Sequence, residues 1–472
     1  MEQLKTIKEM NAGEAVKLLT SQSKGTPVEE ILKQWEVKEH KIFDTAERPD
    51  KPIKNDKGQT ERMEYVARIG LGLQKLIIRR AASFVFGNPV NIIAETEDNQ
   101  VREQIVDSVK RIMRDNKITS FNRRMARDLF AFTEVAELWY PVQVAQKHET
   151  YGFSTRFKLK KSLFSPRLGD ELFPLFDDNG DMVAFSRKYK KKETNQTTGK
   201  DAEVNYLTAY TPEYIVNYIE KNGQWEMDGA PVANILKKIP VVYARQDVPD
   251  WQDVQDLIER LEKLLSNFAD TNDYHASPKI FVTGTIKGFS KKGEAGAIIE
   301  GEENSKAEYL SWAHAPESVR LEIETLTRMI YTLTQTPDIA FDSIRGIGNV
   351  SGVALKLLFM DAHLKVHDKM EVLEDYLLRR LNIIKAFMGK LNTSWEKEAE
   401  NLEMQVEVIP YMVDDFKSEV ELYMTATGGK AILSQETAVR MAGFVNDHKA
   451  EFAKIKDESE REFSFDVFGQ AE

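Results

Sequence analysis

Cysteine is absent from the 472 residues, which excludes structural disulfides, cysteine-based zinc sites and thiol nucleophiles. No stretch reaches the roughly 18 consecutive apolar residues of a membrane-spanning helix, so no membrane span is expected. Low-complexity tails and collagen-like repeats are also missing, and 25 Gly with 15 Pro is an ordinary globular allotment. Met1 to Thr20 alternates Lys and Glu with short apolar pieces and lacks the apolar core of a signal peptide. The expectation is a protein made and kept in a cytoplasm until it assembles into something larger. Positive charge is in deficit: 65 Lys+Arg against 76 Asp+Glu leave a formal charge of −11, which disfavours a uniformly basic clamp on nucleic acid. Any DNA is then held locally or loosely.

What is present fits about three structural units at roughly 150 residues each. Residues 1–60 are charged, with a helical pattern at Val28–Trp35 and a solvated run Glu47–Gln59, and read as a mobile arm. From Arg62 to Phe86 the residues Val66, Ile69, Leu73, Leu76 and Ile77 recur at helical spacing, ending at the breaker Gly87-Asn88-Pro89. Val90–Ala94 reads as a strand, Val101–Asn116 and Ser120–Phe132 as helices, and Val135–Val144 as a strand. Residues 151–245 turn β-rich, with strands at Leu172–Phe176, Met182–Tyr189, Val204–Tyr210, Tyr214–Tyr218 and Pro240–Tyr243. Asn179-Gly180 is expected to supply the positive φ angles of a tight hairpin turn.

The most regular pattern follows Asp250, a candidate N-cap: Trp251, Val254, Ile258, Leu261, Leu265 and Phe268 form one apolar seam. A second seamed helix starts at Pro316, carries Val319, Ile323, Leu326, Ile330 and Leu333, and stops before Pro337. Strands Lys279–Thr283 and Ala307–Trp312 lie between them, so two helices lead out to and back from a small β module. A loop holding Gly346 and Gly348 then precedes a helical pattern from Ser351 to about Leu391, with Met360, Leu364, Leu373, Leu377, Leu381 and Ile384 on its apolar face. Leu402–Val408 reads as a strand, and Asp414–Glu462 as two or three shorter helices.

Catalytic readings find little support. Gly346-Ile-Gly348 precedes a helix, but no strand leads into it as a dinucleotide site requires. Gly429-Lys430 fails as a Walker A loop, because Met424 stands at the first Gly position and Ala431 replaces Ser/Thr. His363 and His367 lie one turn apart without an obvious third metal ligand, and Leu364 stands where a zincin needs Glu. Asp177, Asn179 and Asp181 suit a hairpin turn better than a calcium loop, which needs a later Gly and a bidentate Glu. No metal, no cofactor and no enzymatic activity are expected. Three basic clusters stand out: Arg123, Arg124 and Arg127; Arg187 to Lys192; and Lys287, Lys291 and Lys292. Solvated faces are their ordinary reading, and the third is a candidate for contact with an acidic partner.

The order of parts resembles the portal proteins of tailed bacteriophages, in particular the Gp6-like group of long-tailed phages, from about residue 62 to 460. The resemblance rests on Phe84-Val-Phe86-Gly87-Asn88-Pro89-Val90, on Ser165-Pro166-Arg167 followed by the Asp178-Asn179-Gly180 hairpin, and on Lys238-Ile239-Pro240-Val241-Val242. It rests further on Thr336-Pro337-Asp338-Ile339 leading through a Gly-rich loop to Val350-Ser351-Gly352-Val353-Ala354-Leu355-Lys356, and on Ala431-Ile432-Leu433-Ser434-Gln435-Glu436-Thr437. It implies an α+β, mainly helical ring subunit with wing, stem, clip and crown. The implied division is an N-terminal arm at 1–60, the wing at 61–249 and the stem helices at 250–275 and 316–336. The clip follows at 276–315, a tunnel loop at 337–350, a long wing helix and strand at 351–409, and the crown at 410–472.

The resemblance also implies a dodecameric homo-oligomeric ring at one capsid vertex of the virion. Double-stranded DNA would be packaged and ejected through it, with energy from a separate terminase ATPase. Implied partners are the terminase large subunit, major capsid and scaffold proteins, and a head-tail adaptor. In the tunnel loop, Asp338, Asp342, Ser343, Arg345 and Asn349 would face DNA, with Arg345 the main cation; Ile344 and Ile347 would pack between neighbouring loops. In the clip, Lys287, Lys291, Lys292 and Glu294 would contact terminase or adaptor. A dozen copies at −11 make a ring of about −130, which discourages phosphates from adhering to a channel wall. The alternative is a non-enzymatic helical binding protein of small oligomeric state, and an enzyme with an unrecognised acidic site ranks third.

Overall fold

The computed structural model describes residues 10–22, 25–55, 57–96, 99–194, 201–275, 280–283, 286–288, 300–301, 306–309, 315–339, 359–411, 416–428, 430–445 and 448–468. The chain divides into two compact units, Met1–Asp338 with Asp361–Tyr411, and Ile339–Met360 with Met412–Glu472. In chain order the first unit holds α1 (Ala12–Leu19), α2 (Val28–Trp35), β1 (Lys51–Lys54), β2 (Thr60–Glu64), α3 (Leu73–Phe86), β3 (Asn91–Ala94), α4 (Gln100–Asp115) and α5 (Ile118–Phe132). The strands β4 (Glu134–His148), β5 (Thr155–Phe164), β6 (Glu171–Phe176), β7 (Met182–Thr194), β8 (Asp201–Tyr210), β9 (Tyr214–Lys221), β10 (Gln224–Met227), β11 (Val232–Ala233) and β12 (Val241–Arg245) follow. Next are α6 (Gln255–His275), the short strands β13 (Ile280–Thr283), β14 (Ile286–Gly288), β15 (Glu300–Gly301) and β16 (Lys306–Tyr309), and α7 (Ala315–Leu333). The long helix α8 (Met360–Leu391), α9 (Glu396–Asn401) and β17 (Met404–Glu407) close it. The second unit carries α10 (Phe416–Thr427), α11 (Gln435–Ala442) and α12 (His448–Phe468). The fold is thus mixed α+β.

Two antiparallel sheets organise the β-rich part: β10-β9-β8-β7-β6, with β11 also on β9, and β12-β4-β5. Period-two alternation along β7 sends neighbouring residues into different cores. Ala184 packs with Leu207, Ala209 and Val216 on one face, while Phe185 packs with Tyr210 and Leu172 against Ala136, Phe164 and Val241 of the three-stranded sheet. The first of these faces is covered by α1, whose Ala15, Val16 and Leu19 are buried in it. Residues 1–60 therefore depart from the expected mobile arm over their described part. Helix α2 also matches its sequence pattern, and its Trp35 stacks on Trp251 with ring centroids 5.6 Å apart.

The Asp177–Asp181 turn differs from expectation too: Gly180 takes a φ of +86°, while Asn179 is not among the residues of positive φ. The Asp177 carboxylate accepts from the backbone N–H of Asn179 and of Asp181, so it stabilises the turn from within.

The helical reading of 62–86 holds only from Leu73 onward, because 60–64 is a strand and 65–72 is not helical. The side chains of α6 explain the difference. The Leu71 N–H donates to Glu262 (2.7 Å), Ile69 to Ser266 (2.9 Å) and Ala67 to Asp270 (2.7 Å). Acceptors at i, i+4 and i+8 on a helix thus meet donors at every second residue of an extended segment, which suits 1.5 Å and roughly 3.3 Å rises per residue. His40 joins the same stripe, with Nδ1 2.7 Å from Glu262 and Nε2 2.8 Å from the Gln34 carbonyl. Arg48 closes it, donating to Ala67, Asn267 and Asp270.

Trp251 and Val254 just before α6, and Ile258, Leu261 and Leu264 on it, are buried, whereas the expected seam members Leu265 and Phe268 are half-buried. Helix α7 runs antiparallel to α6, with Leu326 and Ile330 buried and Arg260 paired to Glu322 at 2.6 Å. Between them β13 pairs with β16, close to the two strands the pattern predicts, and β14 pairs with β15, two short strands that it does not.

Helix α8 is held by a fully buried ion pair. Arg380 donates to both oxygens of Glu137 on β4 (Nε at 3.0 and 3.1 Å, Nη2 at 2.7 Å) and through Nη1 to Asn122 of α5 (2.8 Å). Tyr376 Oη (2.6 Å) and Trp139 Nε1 (2.5 Å) donate to the same carboxylate. Burial, and then the Glu137 charge, hold the Tyr376 hydroxyl protonated, well above its ordinary range. The apolar reading of α8 slips in phase at its start: Met360 and Leu364 are each 50% exposed, while Ala362, Lys365 and Val366 face inward. Two lysines and an arginine share the buried face, and a reading of apolar spacing passes over them. Glu137→Ala is expected to destabilise the fold by about 3–5 kcal/mol, because it strands a buried guanidinium. The pair Glu137→Leu with Arg380→Met is expected to recover only part of that loss, because the stranded charge is gone but Tyr376, Trp139 and Asn122 lose their partners, as read by chemical denaturation of both variants.

Candidate functional site

Asp250 was the candidate cap of α6, but its carboxylate does other work. It sits between two lysines of α8, with Lys369 Nζ at 2.6 Å and Lys365 Nζ at 3.2 Å, and accepts from Gln246 at 3.0 Å. Lys365 also donates to the Thr334 carbonyl at the end of α7 (2.9 Å), satisfying one of the orphan carbonyls of that helix terminus. A single carboxylate therefore joins the start of α6, the end of α7 and the buried face of α8. Burial pushes the Asp250 carboxyl up, but Lys365 and Lys369 outweigh it, so it lies below the ordinary carboxylate range. On Lys365 burial wins instead, because it shares its counter-ion with Lys369, and its ammonium is held below the ordinary lysine range.

Beyond Thr334 the chain enters the glycine-rich segment 337–350, and its root is pinned. Arg80 of α3 donates to the Pro337 carbonyl (2.5 Å) and lies 5.4 Å from the Tyr331 ring. Thr336 is buried and its hydroxyl accepts from Thr334 at 2.9 Å. Asp338, the first expected DNA-facing residue, is exposed at the end of this pinned stretch. Asp342, Ser343, Arg345 and Asn349 lie outside the described residues, as do Ile344 and Ile347. In the β module, Lys287 falls on β14, while Lys291, Lys292 and Glu294 lie outside the described residues. Of the expected loop residues, the described structure thus places only the root, at Pro337, Asp338 and Ile339. Sequence reasoning missed Arg80, Lys365 and Lys369, whose only signal was a charged residue at a helical core position.

The sequence pieces that carried the resemblance prove to be fastenings. A Cβ on Gly87 would lie 2.6 Å from the Tyr411 Cβ and 2.6 Å from the Ser83 carbonyl, and the Tyr411 N–H donates to Phe84 (2.8 Å). The Ser165 hydroxyl and Arg167 both reach Asp128, at 3.1 and 2.7 Å. Ile239, Val241 and Val242 are core, and the Pro240 carbonyl accepts from the Trp139 N–H at 3.0 Å. Ser434 caps α11 through the Thr437 N–H at 3.2 Å.

These fastenings lie within a stretch matched by one protein family: the phage portal proteins of the SPP1 Gp6-like type match residues 26–463. The chain belongs to that family. The portal family match begins before the expected start near residue 62 and takes in α2 and the clamp on α6. Among solved structures, a chain described as the neck of an empty GTA particle computed with C6 symmetry is 10% identical to this portal family member. That likeness covers 79% of this chain and 89% of the other at a TM-score of 0.42. No curated protein matches the chain. No helix among the described residues is long and apolar enough to cross a membrane.

Asp250→Asn is expected to cost about 3–5 kcal/mol at neutral pH, since the buried Lys365 and half-buried Lys369 ammonium groups lose their counter-ion. The Asp250 carboxyl is depressed in the folded state, so its stabilisation is intact above the ordinary carboxylate range, declines as pH falls below that range and is lost through the lower folded-state value. Urea unfolding between about pH 7 and pH 3 should therefore show the gap between native and Asp250→Asn proteins closing on the acid side. Gly87→Ala is expected to cost about 1–3 kcal/mol through overpacking, read as a lowered unfolding midpoint.

Proposed function

We propose that this chain is the ring subunit of a phage portal vertex, through whose central channel double-stranded DNA is packaged and later ejected. Membership of the portal family over residues 26–463 is the observation that carries the reading. In it, α6 and α7 are the stem helices, the β13–β16 module is the clip, 337–350 is the tunnel loop and α10–α12 belong to the crown. The described part of 61–249 with α8 is the wing. The role is structural and assembly-based, and a separate terminase supplies the energy, in keeping with the failed Walker A match at Gly429-Lys430. The clip residues Lys287, Lys291, Lys292 and Glu294 dock the terminase large subunit during packaging and the head-tail adaptor afterwards. Major capsid and scaffold proteins meet the outer surface in the host cytoplasm, before the vertex becomes part of the virion.

The stem supports the ring on physical grounds. Leu321, Met329 and Leu333 of α7 are 65%, 46% and 59% exposed in the single chain, on a face that α6 does not cover. Covering each such side chain is worth about 1.5–3 kcal/mol, repeated at every interface of a closed ring. At the loop root, Lys365 on the Thr334 carbonyl and Arg80 on the Pro337 carbonyl hold the point at which the proposed tunnel loop departs. Arg345 is its main DNA-facing cation, joined by Asp338, Asp342, Ser343 and Asn349.

Negative-stain electron microscopy with light scattering of the purified protein tests the reading. Rings with a central hole and the mass of about twelve chains are expected. Particles of one or two 54.1 kDa chains across salts and concentrations would instead favour the small binding protein. Leu321→Asp with Met329→Asp is expected to leave the folded subunit intact while shifting the mass distribution from rings toward single chains.

A further inference from the structure

Helix α5 has one face that the fold does not use. At 100° per residue, Lys117, Ser120, Arg123, Arg124 and Arg127 fall within an arc of roughly 120°, and all five are exposed. The opposite side, Phe121, Met125, Leu129 and Phe132, is buried. The acid bordering the arc, Asp128, turns inward to Ser165 and Arg167 and leaves the arginines without a counter-ion. Among the described residues, Arg123, Arg124 and Arg127 enter no hydrogen bond or ion pair, although exposed cations elsewhere do, as Arg111 with Asp107 and Arg260 with Glu322.

The neighbouring strand adds charge of the same sign. Lys160 of β5 pairs with Asp115, and Lys161 donates to the Asn116 carbonyl (2.6 Å) with its ammonium 4.3 Å from the Phe121 ring. Burial pushes the Lys161 ammonium down to about 8, and although Glu137 opposes this, Arg380, Arg124 and Lys160 add to it. Cations are thus crowded here, in a chain whose formal charge is −11, and of these surface cations only Lys160 is paired with a carboxylate.

We propose that the arginine face of α5 docks the phosphate backbone of duplex DNA, at a surface separate from the loop residues assigned to the channel. Guanidinium groups bind phosphate oxygens bidentately, and free arginines on one helix face offer several such contacts without reading sequence. An acidic protein partner fits less well, because protein interfaces centre on apolar or aromatic anchors and the arc carries none. Binding at this face is therefore independent of base sequence, modest in strength and steeply salt-dependent. It requires only contact between this surface and DNA and does not rest on passage of DNA through a ring.

The test is fluorescence anisotropy of a labelled duplex of about 30 base pairs with full-length protein between about 50 and 200 mM salt. The protein is compared with Arg123→Gln/Arg124→Gln/Arg127→Gln and with a control of equal charge change, Lys188→Gln/Lys190→Gln/Lys192→Gln. The arginine variant is expected to keep its unfolding midpoint, to bind at least tenfold more weakly at the lowest salt, and to flatten the salt slope by about 2–3. The control is expected to leave that slope near native. An unchanged slope in the arginine variant, equal losses in both variants, or no duplex binding by the native protein would each overturn the proposal. So would binding of polyglutamate in place of duplex, which would assign the face to an acidic protein. Light scattering on the same samples separates this from the ring reading: rings with an unchanged slope sink only the docking face, and single chains with a flattened slope sink only the ring.

Discussion

A buried carboxylate on a central strand sets the geometry of the first unit. Glu137 is fully enclosed, and its two oxygens collect donors from α8 and from the indole of its own strand, while Arg380 also donates to Asn122 of α5. Leaving any of these donors unmade costs far more than the net value of a hydrogen bond, so the helix can satisfy the site in only one rotation and one axial position. That fixes α8 along its whole length. Four turns toward its N-terminal end, the same registration places Lys365 and Lys369 over Asp250, and so decides where α6 begins and where α7 ends. The root of the glycine-rich loop inherits its position from a strand to which it is not joined.

A second constraint acts on the other side of α6. The extended segment 65–71 gives up helix formation and donates its N–H groups to Glu262, Ser266 and Asp270, so that one polar stripe of α6 is consumed by its own chain. Helix α7 covers the apolar seam. With both sides of α6 occupied along most of its length, the uncovered apolar residues of the helix pair are Leu321, Met329 and Leu333 of α7 and Tyr274 at the far end of α6, and the proposed ring would use those of α7. The division of labour is physical: polar donors are satisfied within the chain, where an unpaired group would be costly, and apolar area is left for assembly, where burial is non-directional and additive.

Much of this was legible from spacing. The period-two alternation of β6–β9, the three-and-four stepping of α6 and α7, and the breaker Gly87-Asn88-Pro89 all reflect local rules that act within a few residues, and the described elements follow them closely. Two of the readings that failed share one cause. Residues 62–72 look helical by apolar spacing, yet acceptors some two hundred positions away on α6 outbid the helix for their N–H groups. Asp250 looks like a cap, yet two lysines more than a hundred residues later claim it. Apolar periodicity also missed the lysines and arginine on the inner face of α8, because charged residues are counted as solvent-facing until a partner is seen.

By itself, then, the sequence determined the class of protein: no cysteine chemistry, no membrane-spanning helix, two seamed helices around a β module, and a succession of short pieces belonging to the portal family. Those features are local or compositional, and each survives in the order of residues alone. Only the tertiary structure decided which charges are buried together, which N–H groups leave the helix, and which arginines of α5 remain unpaired. Such choices depend on electrostatic and hydrogen-bonding partners brought within about 3 Å from distant parts of the chain, and no periodicity records a partner's distance.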